Sequence, residues 1–114
     1  NPKYLQVFMT CGIAPENFSH DWDDPKWGQA NRAMCLDVIT KCGHQCLDGN
    51  YPNGKLVLSE IIRAQLVKHG VRPFNIGCDV VDTFDDKDER GRLLWWSNRR
   101  KPGTERNGVL VTLT

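Results

Sequence analysis

The chain has 114 residues, of which 39% are apolar and 25% charged, and this is the composition of one folded domain over residues 1–114. Its net charge of +1 offers no bulk attraction to nucleic acid or to an anionic membrane, and we expect neither as a partner. No apolar run approaches the ~18 residues of a membrane-spanning helix. Composition therefore excludes a disordered chain and favours a globular protein, which we expect to be a monomer.

Cysteine content predicts the compartment. Two disulfides and one free thiol would be typical of a secreted domain with five cysteines, although their pairing stays open. The chain starts at Asn1-Pro2-Lys3 without methionine, as expected of a protein whose signal peptide has been removed. We therefore predict secretion. The cysteines are Cys11, Cys35, Cys42, Cys46 and Cys78.

The first half of the chain predicts one strand and one ambiguous segment. Residues 4–11 alternate with period two and are rich in β-formers, which indicates a strand. A loop with two prolines and an acidic cluster follows over 12–28. Residues 29–42 fit either a helical stripe or a strand, and the β-branched run Val38-Ile39-Thr40 favours a strand from Leu36 onward. Residues 43–54 are predicted to be turns.

The second half predicts one clear helix and several strands. Apolar residues recur at helical spacing over 59–69, with Ser59 as the expected N-cap and Gly70 as the C-terminal glycine. Strand-like patterns follow over 74–84, 92–98 and 109–114. These elements favour a mainly β protein, an antiparallel β-sandwich with one helix at about 59–69. The alternative is an α+β fold, a four-stranded sheet with two helices, in which 29–42 is the second helix.

No motif predicts an enzyme, a cofactor or a metal. The cluster Cys42-Gly43-His44-Gln45-Cys46 could share zinc with Cys35, but its spacing matches no common zinc motif, and disulfides to different partners are the favoured interpretation. A ribonuclease would need two histidines and an acid close together. Nothing in the spacing of His20, His44 and His69 forces that arrangement, so we expect a protein that is not an enzyme.

Two surface features are candidates for binding. Acidic residues dominate 79–89 and basic residues dominate 90–106, so a hairpin would pair opposite charges. Within the basic half, Arg99, Arg100 and Lys101 are predicted to form a cationic loop tip that contacts a partner. Reversing their charges is expected to change recognition with little effect on stability. Adjacent Trp95 and Trp96 should point to opposite faces of a strand, which leaves one exposed to stack on a glycan.

The start at Asn1-Pro2-Lys3, the single domain, the five cysteines and the absence of an enzyme motif together resemble the small secreted effectors of plant-pathogenic fungi, including rust avirulence proteins. The resemblance implies delivery into host cells and virulence-related binding to a host protein, which could include an immune receptor. A carbohydrate-binding module is the first alternative function, and a secreted ribonuclease-like enzyme is the second.

Overall fold

The computed structural model describes residues 1–10, 12–48, 54–79, 81–105 and 107. Within them the regular elements combine two α-helices with four short strands, joined by 3-10 turns at 2–4, 15–17, 44–46 and 73–75. In chain order these elements are β1 (Val7–Met9), α1 (Gly28–Cys42), β2 (Leu47–Asp48), β3 (Lys55–Leu56), α2 (Leu58–Lys68) and β4 (Ile76–Cys78).

The predicted β-sandwich is wrong. The described strands form two separate two-stranded sheets, one parallel between β1 and β4 and one antiparallel between β2 and β3. The alternative α+β fold came closer to the structure, because it placed a second helix at 29–42. However, the described strands do not form its single four-stranded sheet. Strands of two or three residues cannot supply two facing sheets, so the helices provide most of the packing surface.

A turn that begins at Asp24 precedes helix α1, whose N-cap is Trp27 with no side-chain cap hydrogen bond. The carboxylate oxygen Oδ1 of Asp24 accepts hydrogen bonds from the backbone N–H of Lys26 (2.8 Å) and of Trp27 (2.6 Å). The carbonyl of Asp24 accepts from the N–H of Gly28 at 2.8 Å. These bonds satisfy backbone N–H groups in the turn that leads into the helix.

The preference for a strand from Leu36 onward is wrong, because α1 continues to Cys42. The hydroxyl of Thr40 donates to the carbonyl of Leu36 at 2.8 Å, a bond that a helix provides for a threonine in its interior. Only Gly28 and Cys35 are buried along α1. The apolar stripe is therefore weak, and local β-propensity misled the prediction.

Helix α2 confirms the predicted helix at 59–69 to within one residue at each end. Its N-cap is Val57 and not Ser59, and no side chain caps it. Gly70 ends the helix as predicted, with a φ of +91° that favours glycine. The N–H of Val71 then bonds back to the carbonyl of Leu66 at 3.0 Å.

The parallel pair β1–β4 joins segments that are far apart in sequence. Val7 is opposite Ile76, Phe8 opposite Gly77 and Met9 opposite Cys78. This places β1 inside the strand predicted for 4–11, although residues 2–4 form a 3-10 turn and Cys11 lies outside the described residues.

After β4 the described residues are irregular. Among the described residues of the strand predicted for 74–84, only 76–78 are strand, and the segment predicted for 92–98 contributes an isolated bridge between Leu93 and Lys87. The predicted pairing of acid and base does occur there, since Arg92 and Asp88 form an ion pair at 2.8 Å across a turn. The last predicted strand, 109–114, lies outside the described residues.

The described core is small and contains few large side chains. The buried apolar residues are Cys35, Cys46, Leu56, Val71 and Ile76. They lie where α1, α2 and the two small sheets meet. Such a core leaves several large apolar side chains on the surface, and some of these lie side by side.

Candidate functional site

Aromatic and cationic side chains lie together where the N-terminal turn meets the segment before β4. The guanidinium carbon of Arg72 lies 5.9 Å from the ring centre of Tyr4 and 5.8 Å from that of Phe74, while the ammonium of Lys3 lies 4.9 Å from the Tyr4 ring. These distances are within cation–π range. We call the four residues Lys3, Tyr4, Arg72 and Phe74 the aromatic–cationic face.

The rings of this face are exposed to solvent. Tyr4 is 68% exposed and Phe74 is 80% exposed, values that are high for large apolar side chains. Phe8 is also exposed, at 69%, and four residues of chain keep it within about 14 Å of Tyr4. An exposed group of large aromatic rings marks a site of interaction more often than isolated apolar residues do.

The face is held by backbone contacts and not by its own rings. The buried amide of Asn75 donates to the carbonyl of Lys3 at 3.3 Å, which fixes the N-terminal turn beside residues 73–75. Arg63 on α2 donates to the carbonyl of Ile76 at 3.2 Å, and so anchors the start of β4 to the helix. The exposed rings can therefore contact a partner without supporting the fold.

The charge of the face has one sign. Neither residues 1–15 nor residues 61–78 contain an aspartate or a glutamate, whereas they contain Lys3, Arg63, Lys68 and Arg72. Within the described residues, the guanidinium of Arg72 makes no ion pair and no hydrogen bond. Its donors therefore remain available for an anionic group, which arginine binds with two parallel hydrogen bonds.

The predicted cationic tip is only partly a free surface. Arg99 is exposed, but its guanidinium donates to the carbonyl of Ser19 at 2.8 Å and stacks 5.6 Å from the Phe18 ring. Arg100 is half-buried and donates to two backbone carbonyls, those of Phe84 and Trp95. Lys101 is exposed, and no side-chain contact of it occurs among the described residues.

The two tryptophans proposed for glycan stacking do not lie on a strand. Trp95 and Trp96 are both half-buried, so neither is the fully exposed ring that the strand interpretation predicts. The backbone of Trp96 is held by the side-chain amide of Asn107 through bonds of 2.9 and 2.7 Å. The exposed tryptophan is Trp27, just before α1.

The structure does not bring two histidines into one described cavity. His20 packs edge-on against Phe18 with ring centres 4.7 Å apart, and burial together with the charge of Arg99 lowers its pKa from the ordinary 6.5. His44 lies in the turn after α1, whereas His69 follows α2. No described group of three or more histidines, cysteines or acids could hold a metal ion, so the zinc arrangement at Cys42–Cys46 gains no support.

Two cavities open on the described surface. One of about 280 Å³ is lined mainly by apolar residues near the end of β1, among them Met9, Leu58 and Ile62. The other, of about 560 Å³, lies between α1 and α2 and is lined by Cys42 together with Lys68, His69 and the ion pair of Lys41 with Asp37. Neither gathers the acid, base and nucleophile of a catalytic site.

Comparison of the chain with family profiles, with curated proteins and with solved structures found no match. None of the helices in the described part of the chain is long and apolar enough to cross a bilayer.

Proposed function

We propose that this chain is a secreted, effector-type protein that acts by binding a host protein through the aromatic–cationic face, without catalysing a reaction. The observation that carries the proposal is the exposure of Tyr4 and Phe74 on either side of Arg72. Tyrosine, phenylalanine and arginine are the residue types enriched in protein interfaces.

The exposed rings supply enough apolar surface to matter. Burying an exposed aromatic side chain contributes about 1.5–3 kcal/mol, so Tyr4 and Phe74 together offer roughly 3–6 kcal/mol before the cost of association. Both rings belong to short, backbone-anchored turns, which reduces the ordering cost on binding. A binding free energy of a few kcal/mol from these two rings is consistent with a specific interaction of moderate affinity.

The sign of the charge selects the partner. Because the segments that build the face carry cations and no carboxylates, an acidic segment of a host protein is electrostatically complementary to it. The partner would place an apolar or aromatic side chain between Tyr4 and Phe74 and a carboxylate on Arg72. The predicted contact of Arg99, Arg100 and Lys101 with a partner is a separate prediction and forms no part of this proposal.

A carbohydrate is the second candidate, and Phe8 is the observation that favours it. Two ring carbons of Phe8 lie 3.1 and 3.6 Å from the position that a Cβ on Gly77 would take. The ring therefore covers the glycine opposite it while remaining exposed on its outer side. Exposed aromatic rings are the groups on which sugars stack, although Trp95 and Trp96 were the residues first expected to do so.

The test measures binding of a fluorescent Glu/Tyr copolymer to the purified chain by anisotropy at several salt concentrations. We expect Arg72→Glu and Phe74→Ser each to weaken binding about tenfold or more, and added salt to weaken it further. Lys101→Glu, a matched charge reversal on another surface, should change the affinity less than twofold.

Circular dichroism of each variant checks that the fold is retained. If Arg72→Glu and Lys101→Glu weaken binding of the copolymer equally, net charge alone explains the loss of affinity. That result would overturn the assignment of the aromatic–cationic face as the binding site. Binding of an uncharged oligosaccharide that is lost in Phe8→Ser, with no binding of the copolymer, would instead support the carbohydrate-binding function.

A further inference from the structure

The turn after α1 brings two cysteines together. Gly43 has a φ of +99°, which ends the helix and folds the chain back through residues 44–46. The thiol of Cys46 lies 3.7 Å from the carbonyl oxygen of Cys42, which places its sulfur beside the Cys42 residue. The N–H of Cys46 bonds to the carbonyl of Gly43 at 3.2 Å, so backbone contacts maintain this proximity.

The two thiols have different surroundings. Cys46 is fully buried, and burial, followed by the neighbouring Cys42 and Glu60, raises the pKa of its thiol to about 11. Cys42 is half-exposed and lines the cavity between the helices, together with Lys41 and Lys68. A small reagent can reach Cys42 through that cavity, whereas the thiol of Cys46 is shielded from solvent.

We propose that Cys42 and Cys46 form an intramolecular disulfide by reaction with a small-molecule disulfide such as oxidised glutathione, Cys42 being the attacking thiol. The Cys42 thiolate attacks one glutathione sulfur, forms a mixed disulfide and releases one glutathione thiolate. The thiol of Cys46 then loses its proton to solvent and attacks Sγ of Cys42, which releases the second glutathione. Two protein thiols are oxidised, and one oxidised glutathione is reduced to two molecules of glutathione.

The pairing differs from the sequence expectation that the two cysteines reach different partners. It would fasten the end of α1 to the start of β2, next to the bond of 2.9 Å that the N–H of Val57 donates to the carbonyl of Cys46. The burial of Cys46 makes the second step the slow one, because little thiolate is present at neutral pH.

The sequence offers a direct assay, because trypsin cleaves after Lys41 and after Lys55. The resulting peptide 42–55 contains Cys42 and Cys46 and no other cysteine. The reduced full-length chain is equilibrated with mixtures of oxidised and reduced glutathione, alkylated, digested and analysed by mass spectrometry. We expect peptide 42–55 to lose two hydrogens and to take up no alkyl group.

Variants separate the two steps. Cys46→Ser should accumulate glutathione on Cys42, whereas Cys78→Ser, which removes a different exposed thiol, should leave formation of the 42–46 bond unchanged. The oxidised chain should melt several degrees above the reduced chain. Alkylation of both cysteines in peptide 42–55 under conditions that oxidise Cys78, or linkage of either cysteine to the peptide that contains Cys35, would overturn the proposal.

Discussion

Replacing Arg100 with methionine tests whether the basic loop is a surface or a structural support. The Arg100 guanidinium donates to the carbonyls of Phe84 and Trp95, and its carbon lies 6.0 Å from the centre of the Phe84 ring. Methionine keeps much of the apolar stem but leaves both carbonyls without this donor. The loop that contains Trp95 would then lose its connection to the turn at Phe84.

The expected cost follows from these contacts. A hydrogen bond from a charged group contributes about 1.5–3 kcal/mol, and a cation–π contact at a partly exposed site adds about 0.5–1 kcal/mol. Water can reach the half-buried carbonyls and recover part of the loss, so we expect Arg100→Met to lower the free energy of unfolding by about 3 kcal/mol. With a urea m-value of about 2 kcal/mol/M, the unfolding midpoint falls by about 1.5 M.

The matched control is Lys101→Met, which removes the neighbouring charge from an exposed side chain. We expect it to change the free energy of unfolding by less than about 0.5 kcal/mol. Urea unfolding followed by tryptophan fluorescence and by circular dichroism measures both variants. Equal midpoints for the two would refute the structural role of Arg100 and restore the view that charge changes at 99–101 leave stability unaffected.

Three further predictions concern stability. Gly54→Ala should lower the free energy of unfolding by at least about 2 kcal/mol, because a Cβ there would clash with the carbonyl oxygen of His20. The control, Gly91→Ala, has a similar positive φ but open space around it and should cost about 1 kcal/mol. Equal melting temperatures for the two variants would contradict this prediction. His20 has a lowered pKa, so below pH 6.5 the unfolded chain binds more protons than the folded chain. The free energy of unfolding should therefore fall as the pH drops from 6.5 towards the pKa of His20 in the folded chain. The same dependence of unfolding free energy on pH in His20→Gln would contradict this prediction. The carboxylate of Asp82 accepts hydrogen bonds from the N–H groups of Ala14 (3.2 Å) and Phe84 (3.0 Å). Asp82→Ala should therefore lower the free energy of unfolding, measured by thermal unfolding, by roughly 2 kcal/mol, and Asp85→Ala, at an exposed position, by much less. Equal losses in the two variants would contradict this prediction.

The sequence predicted those elements whose signals are local. Helix α2 was predictable because its apolar residues recur at helical spacing and Gly70 stops it one turn before Pro73. The charged turn near Asp88 and Arg92 was predictable because oppositely charged neighbours pair across a short turn. Helix α1 was partly accessible, since residues 29–42 also fit a helical stripe, but the β-branched run Val38-Ile39-Thr40 outweighed that signal.

The candidate site was less accessible to sequence analysis. Nothing local indicates that Tyr4 and Phe74 share one cation, because the contact depends on a parallel pairing between segments almost seventy residues apart. The run Arg99-Arg100-Lys101 suggests a cationic surface, and Lys101 is exposed as such a surface requires. The carbonyls that hold Arg100 belong to Phe84 and Trp95, which no pattern in the basic run reveals.

Composition, net charge, the second helix and its glycine stop were thus determined by the sequence itself, because each depends on neighbouring residues and on general solvation. The pairing of β1 with β4 and the exposed face around Arg72 were decided by the tertiary structure. These features depend on which backbone groups and rings the folded chain brings within a few ångströms. Such proximity follows from packing of the whole domain and leaves no periodic signal in the chain.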